Sequence, residues 1–319
     1  MNKSLNIEIK NIDNNILTNH QLRESKLESN KASPFPFKVT WDITHRCNLR
    51  CSHCFVIFQN NREGTTSEKI HYDIANSILS AHPFILSIAG GEPFLIPYIE
   101  KIIDIFIAQD IRVIVATNGT IDNDLAMRKF IASGKVSMQV SIDGASMATH
   151  DSIRGIGNFQ KTVTFIKKYS DKIPMLIAIT LTKDVCLDLK NIFSLALDCN
   201  VKVIKFQKFV VTKSVPDKEL SPTSIELDIA RDYILNETRI NHEVLILHPF
   251  TEKHDNRNAI GLRECTITPK GNLSLCGAVL DECGLHGNVI EKNLINLWAE
   301  FIEKRLSVNG IQGDCLCSL

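Results

Sequence analysis

Apolar and polar side chains alternate from Phe37 to Ile43, the period of a strand with one buried face. Ser67 then stands where it can cap a helix carrying Ile70, Ile74 and Ile78 on one side. Phe84–Ile88 reads as a buried strand, 98–108 as a helix and 112–116 as a strand. A helix over 124–132 stops at Gly134, and a strand follows over 136–142. A helix over 158–169 leads to a strand over 175–181. A helix over 187–197, with Ile192, Leu195 and Ala196 inward, leads to a strand over 201–206. Six strand–helix repeats in succession predict a parallel sheet with right-handed crossovers. In such folds chemistry collects at the C-terminal ends of the strands.

Those ends carry unusual residues. Cys47, Cys51 and Cys54 follow the first strand at C-x3-C-x2-C spacing. Thiolates are the ligands that iron–sulfur clusters select, and three of them leave one iron of a four-iron cluster open. Zinc is the competing reading, with His45 and His53 near enough to join, but zinc sites usually pair C-x2-C with a second pair further on. A disulfide fits poorly, because neighbouring loop cysteines cannot all pair. The second strand ends in Gly90-Gly91-Glu92-Pro93, where two glycines admit a close backbone approach and Glu92 offers a carboxylate. A plain Gly-Gly turn is the alternative there. The third strand ends in Thr117-Asn118-Gly119 and the fourth in Ser141-Ile142-Asp143-Gly144.

Composition narrows the class. The 319 residues, 44% of them hydrophobic, suffice for one large domain with an appendage, or for two domains. Lys plus Arg and Asp plus Glu both number 36, so nothing suggests nucleic acid or an anionic membrane as partner. No apolar run approaches the roughly 20 residues of a membrane helix. The N-terminus lacks an apolar signal core, and ten cysteines without one point to a reducing cytoplasm. Residues 1–36 are polar and read as a loosely ordered arm ending in Ser33-Pro34-Phe35-Pro36.

Beyond about residue 212 the repeat breaks, dividing the chain into residues 37–212 and 213–319. Ser221-Pro222 opens a helix to about Asn236, and Val244–Leu247 reads as a strand. Two short strands then flank a Pro269-Lys270-Gly271 turn, with Cys265 and Cys276 at the outer ends, so the hairpin can bring both to one metal. Gly287-Asn288-Val289 leads to a helix over 294–306 with Leu297, Trp298 and Phe301 on its apolar side. Cys315 and Cys317 close the sequence. A zinc hairpin or free thiols remain open as readings of these four.

Taken together, the cysteine loop after the first strand and Gly-Gly-Glu-Pro after the second resemble the radical S-adenosylmethionine (radical SAM) superfamily. The resemblance implies an α/β fold, a partial (β/α)6 TIM-type barrel followed by a small α+β SPASM/twitch-like domain over about 260–319. It implies a [4Fe–4S] cluster on Cys47, Cys51 and Cys54 whose open iron binds SAM. Gly90, Gly91 and Glu92 would hold SAM's amino group, Ser141 its ribose or carboxylate, and Arg154 its carboxylate. Thr117 and Asn118 would line the pocket, while His53 and Phe55 would contact adenine or pack near the cluster. The hairpin resembles the auxiliary-cluster extension of twitch enzymes, implying one auxiliary iron–sulfur cluster on Cys265, Cys276, Cys315 and Cys317, with Cys283 able to replace one of the last pair.

The activity so implied is reductive cleavage of SAM to a 5′-deoxyadenosyl radical, which removes hydrogen from a substrate. The electron donor would be a flavodoxin or ferredoxin. The leading substrate is a ribosomally made precursor peptide, to be crosslinked, epimerised or oxidised. A small-molecule substrate, as for a dehydrogenase or tetrapyrrole maturase, is the alternative, and a non-catalytic iron–sulfur protein is a third. Cys186, just past the fifth strand, is a hydrogen-atom donor or a buried thiol, and Cys199 reads as a core thiol.

Overall fold

The computed structural model describes residues 33–54, 56, 66–211, 219–250, 263–274 and 285–307. The N-terminal arm up to residue 32, Phe55, Cys276, Cys283, Cys315 and Cys317 lie outside them.

The expected alternation is present. β1 (Lys38–Thr44) leads through the cysteine loop to α1 (Glu68–Ala81), whose N-cap Ser67 accepts from Ile70 N as its position foretold. Then come β2 (Ile85–Gly90), α2 (Ile99–Ala108), β3 (Arg112–Thr117), α3 (Asp124–Ser133) and β4 (Val136–Ser141). α4 (Met147–Arg154) and α5 (Asn158–Tyr169) precede β5 (Met175–Leu181). α6 (Lys183–Leu187) and α7 (Leu189–Asp198) precede β6 (Val203–Lys208). α4 and α6 are additions to the expected series, and both are short. α4 forms because Ser146 and Thr149 make a capping box at its start.

The repeat does not break after β6. α8 (Ser224–Ile240) returns the chain to β7 (Leu245–Leu247), which pairs parallel with β6 as a seventh strand. Only Ile246 of β7 is buried, so this edge strand carries too little apolar sequence to announce its sheet. The C-terminal hairpin, β8 (Glu264–Ile267) and β9 (Asn272–Ser274), joins the same sheet: β8 pairs parallel with β1, and β10 (Leu285–Asn288) adds beyond β9. Among the described residues the order is β10-β9-β8-β1-β2-β3-β4-β5-β6-β7, one ten-stranded sheet. The Gly287-Asn288 pair locks the hairpin turn, Asn288 Nδ2 donating to Lys270 O and Asn272 Oδ1, both at 2.9 Å. α9 (Leu294–Ser307) docks on α1 through Leu294 N to Ser77 Oγ at 2.9 Å.

Along each central strand the two faces differ. Val39, Trp41 and Ile43 of β1, Leu86 and Ile88 of β2, and Val113 and Val115 of β3 all belong to the main hydrophobic core. Thr40, Asp42, Ser87, Ala89, Ala116, Gln139, Ser141 and Lys205 take the opposite face by alternation. Burial holds the Lys205 ammonium on that face below the usual lysine range, with Lys38 adding to the effect and Glu264 opposing it. Among the described residues no helix is long and apolar enough to cross a membrane.

Candidate active site

The cysteine loop is fastened at the strand ends by backbone hydrogen bonds. Gly91 N donates to Thr44 O at 2.6 Å and Glu92 N to Arg46 O at 2.8 Å. A Cβ at Gly91 would overlap the Arg46 carbonyl, and one at Gly90, where φ is +103°, would overlap the Thr44 carbonyl, so the approach demands glycine twice. On the far side Ser52 N donates to Ile153 O of α4 at 2.9 Å.

Cys47, Cys51 and Cys54 are free thiols; Cys47 feels the charge of Cys54, and Cys51 that of both Cys54 and Cys47. Burial pushes Cys47 up and Cys51 up to about 11. Donors nonetheless face the sulfurs. Leu49 N lies 3.4 Å and Asn118 Nδ2 3.8 Å from Cys47 Sγ, and Arg154 Nη1 lies 4.0 Å from Cys51 Sγ. Among the described residues no three His, Cys, Asp or Glu side chains group as a single-ion site. Three soft ligands on one loop, with N–H groups and an arginine turned toward them, fit an anionic iron–sulfur cluster.

Glu92 is fully buried, and its carboxylate is engaged. It accepts from Thr117 Oγ1 at 2.8 Å, Asn118 N at 2.9 Å and Phe94 N at 3.1 Å. Burial pushes its carboxyl up to about 7 against the pull of these three donors. Thr117 therefore serves Glu92, and Gly119 N donates back to its hydroxyl at 3.1 Å. Asn118 turns to the cysteine loop, Nδ2 donating to Asn48 Oδ1 at 2.9 Å. Ser141, at the end of β4, is half-buried and makes no side-chain hydrogen bond among the described residues.

Arg154 and His53 meet on a residue to which the sequence assigned no role. Asp143 Oδ2 lies 2.5 Å from Arg154 Nε and 3.1 Å from His53 Nε2, while Asp143 Oδ1 accepts from Thr180 N at 2.8 Å. Burial alone would raise the Asp143 carboxyl, but Arg154 and His53 hold it well below the usual carboxylate range. Burial opposes the Arg154 cation, and Asp143 and Cys51 more than restore it. The advance signal was Asp143's place in the Ser-x-Asp-Gly end of the fourth strand, one of the strand ends expected to carry chemistry, though Asp143 itself was given no role.

The other cysteines among the described residues lie apart from this loop. Cys265 is buried on the core face of β8, opposite Val39, and burial drives its thiol far up. Cys186 and Cys199 both sit in the main core, Cys186 pushed up to about 11 by burial.

Residues 41–195 match the sequence model of the radical SAM superfamily. The chain is 33% identical over 128 residues to mycofactocin maturase MftC of Mycobacterium ulcerans (strain Agy99), covering 40% of this chain and 35% of that protein. The alignment thus spans only about a third of the curated relatives that match first. An AdoMet-dependent heme synthase of Methanosarcina barkeri is 27% identical over 312 residues, 88% of this chain and 87% of its own. Streptococcus suis SuiB bound to S-adenosylmethionine superposes with a TM-score of 0.73 at 15% identity, over 92% of this chain and 75% of that one. SuiB bound to precursor peptide SuiA gives the same score and identity, over 94% and 73%. At that identity the likeness is one of fold. With the cysteine loop, the Gly-Gly approach and the parallel sheet in place, residues 41–195 belong to the radical SAM superfamily.

Proposed function

We propose that the chain is a radical SAM enzyme that modifies a ribosomally made precursor peptide. The observation that carries the chemistry is the juxtaposition of Cys47, Cys51 and Cys54 with Gly90 and Gly91, fastened through Thr44 and Arg46. Cys47, Cys51 and Cys54 would hold a [4Fe–4S] cluster. With SAM on its open iron, that group supplies one electron to a sulfonium and thereby a radical able to take hydrogen from a C–H bond. The rest falls to this chain's own residues. Gly90 and Gly91 bring bare backbone to the ligand. Thr117 and the Asn118 amide fix the Glu92 carboxylate. Asp143 orients His53 and Arg154 beside the loop. The sheet, a partial barrel in this reading, would hold the reaction away from water.

The peptide substrate takes its support from likeness to MftC, a maturase, and from a fold shared with SuiB, which binds its precursor peptide SuiA. A flavodoxin or ferredoxin would supply the electron. An auxiliary cluster on the C-terminal cysteines belongs to the same reading. Of its ligands only Cys265 is among the described residues, on the core side of the hairpin strand.

A second reading has a specific observation behind it. The heme synthase match runs over 88% of this chain, far beyond the radical SAM domain, which favours a tetrapyrrole substrate. Reduced, cluster-loaded protein incubated with SAM and either synthetic peptides drawn from the short reading frames that flank its gene or an iron tetrapyrrole separates the two. A SAM-dependent mass change in the peptide supports the first reading. Turnover of the tetrapyrrole with an unchanged peptide overturns it in favour of the second.

A further inference from the structure

Among the described residues, Asp42 and Lys205 are charged side chains on the sheet face opposite the main core that make no ion pair. Asp42, 5% exposed, makes no hydrogen bond there either. The two do not neutralise each other. Burial alone moves the Asp42 carboxyl, whereas Lys205 answers to burial, Lys38 and Glu264. Glu264 is already held by Lys38 at 2.9 Å. Among the described residues Lys205 therefore has no carboxylate of its own.

Its direction follows from β6. Ile204 and Phe206 belong to the main core, so Lys205 between them stands on the other face. Its hydrogen bond is a long one, Nζ to Gln139 Oε1 on β4 at 3.4 Å. Reaching β4 carries the side chain across β5, whose residues on this face are Leu176 and Ala178. With Val203 these form an apolar cluster separate from the main core. The stem thus crosses apolar side chains, and the ammonium ends over the sheet instead of turning out to water as surface lysines do. An enclosed lysine without a carboxylate is costly and calls for an anion.

The register sets where that anion lies. Lys205 pairs with Ala178, and Ala178 with Ser141, so Lys205 is level with the strand end at which SAM is expected, two strands away, roughly 10 Å. Arg154, whose Nη1 lies 4.0 Å from Cys51 Sγ, is the cation beside the cysteine loop. Lys205 is left for the second reactant. We propose that Lys205 is a substrate-binding residue whose ammonium pairs with an alkyl carboxylate on the substrate, seating it across from SAM. The inference rests on the radical SAM reading above and deepens it by naming a group that the substrate carries. An acidic peptide side chain and a tetrapyrrole propionate both supply that chemistry.

The test is binding with SAM present and no reductant, so that nothing turns over. It is measured anaerobically by equilibrium dialysis on cluster-loaded wild type, Lys205→Met and Lys205→Arg. The probes come in pairs. One is the synthetic peptides from the flanking reading frames, with Asp and Glu intact or replaced by Asn and Gln. The other is an iron tetrapyrrole with free propionates or as its methyl ester. In one pair the carboxylate form should bind wild type about tenfold or more tighter than the neutral form, which names the source. Lys205→Met should abolish that preference by weakening the carboxylate form alone, and Lys205→Arg should keep most of it. SAM affinity should stay the same throughout. Lys205→Gln takes the place of Lys205→Met should the latter not fold. Wild type with no preference for either carboxylate form overturns the proposal and leaves the family reading intact. So does an equal loss of both forms in Lys205→Met, which would make the lysine structural, and so does a loss of SAM affinity there, which would give the lysine to SAM. Wild type that binds no SAM overturns both.

Discussion

Arg154 Nε lies 2.5 Å from Asp143 Oδ2, and the pair is enclosed, with side-chain exposures of 10% and 0%. Because the next contacts are His53 and Cys51, this pair braces the cysteine loop from the β4 side. Removing one partner of a buried ion pair leaves the other charge stranded, at a cost of about 3–5 kcal/mol. Arg154→Ala should lower unfolding free energy by about that much in urea titrations, and the cluster-loaded variant should lose iron faster than wild type on gel filtration. Unchanged stability would show that the pair does not brace the loop.

The two glycines at the end of β2 are required by space as well as by dihedral angle. Gly91→Ala must displace the Arg46 carbonyl and with it the start of the cysteine loop. Gly134→Ala meets nothing within 4 Å although its φ is also positive, at +63°. The first should abolish SAM binding or iron incorporation. The second should cost only about 1 kcal/mol from its left-handed backbone. Iron content and thermal melting of the two variants give the comparison directly.

Glu92 depends on Thr117 for one of its three donors. Thr117→Val keeps the shape and removes the hydroxyl, leaving a buried acceptor short, worth about 1–3 kcal/mol. Thr117→Ser should recover most of that in the same melting assay, which a pure packing effect would not.

Asp42 gives stability a pH signature in the absence of SAM. Its carboxyl is raised from 3.8 to about 7, so the folded chain holds a proton there that the unfolded chain releases above about 4. This contribution is absent near pH 4 and grows unfavourable as pH rises through 7. Asp42→Asn, which has no proton to lose, should therefore exceed wild type in stability at pH 8, by up to about 4 kcal/mol. The difference should shrink at pH 5. His45 and His150, held down to about 4 chiefly by burial, act in both proteins alike and cancel in the comparison. A gap independent of pH would contradict a buried, unpaired carboxyl at Asp42.

Much of this was legible along the chain, for a physical reason. Cys47, Cys51 and Cys54 are joined by a short loop, and Gly90-Gly91-Glu92 closes a strand, so spacing alone carried them. Ser67 and Gly134 announced helix ends because caps are local, and both act as read. Asp143, by contrast, meets His53 across 90 positions of sequence and Arg154 across a helix that no apolar stripe announced. That Arg154 also engages a protein carboxylate, through Nε to Asp143 Oδ2, was not legible from its motif. Asp42 looked like one polar position in an alternating strand. Its isolation shows only when the partners of Glu92 and Asp143 are known. β7 was read as a strand, but its place as a further parallel strand escaped because an edge strand with one buried residue carries almost no periodicity to announce its sheet.

The most direct test of the account is formation of 5′-deoxyadenosine from SAM. Reduced, cluster-loaded wild type would be compared with the Cys47→Ala/Cys51→Ala/Cys54→Ala variant, iron being counted in both. The account predicts 5′-deoxyadenosine and methionine in equal amounts from wild type, none from the variant, and about four fewer irons in the variant. Wild type that holds iron on these cysteines yet leaves SAM intact under reduction would contradict it.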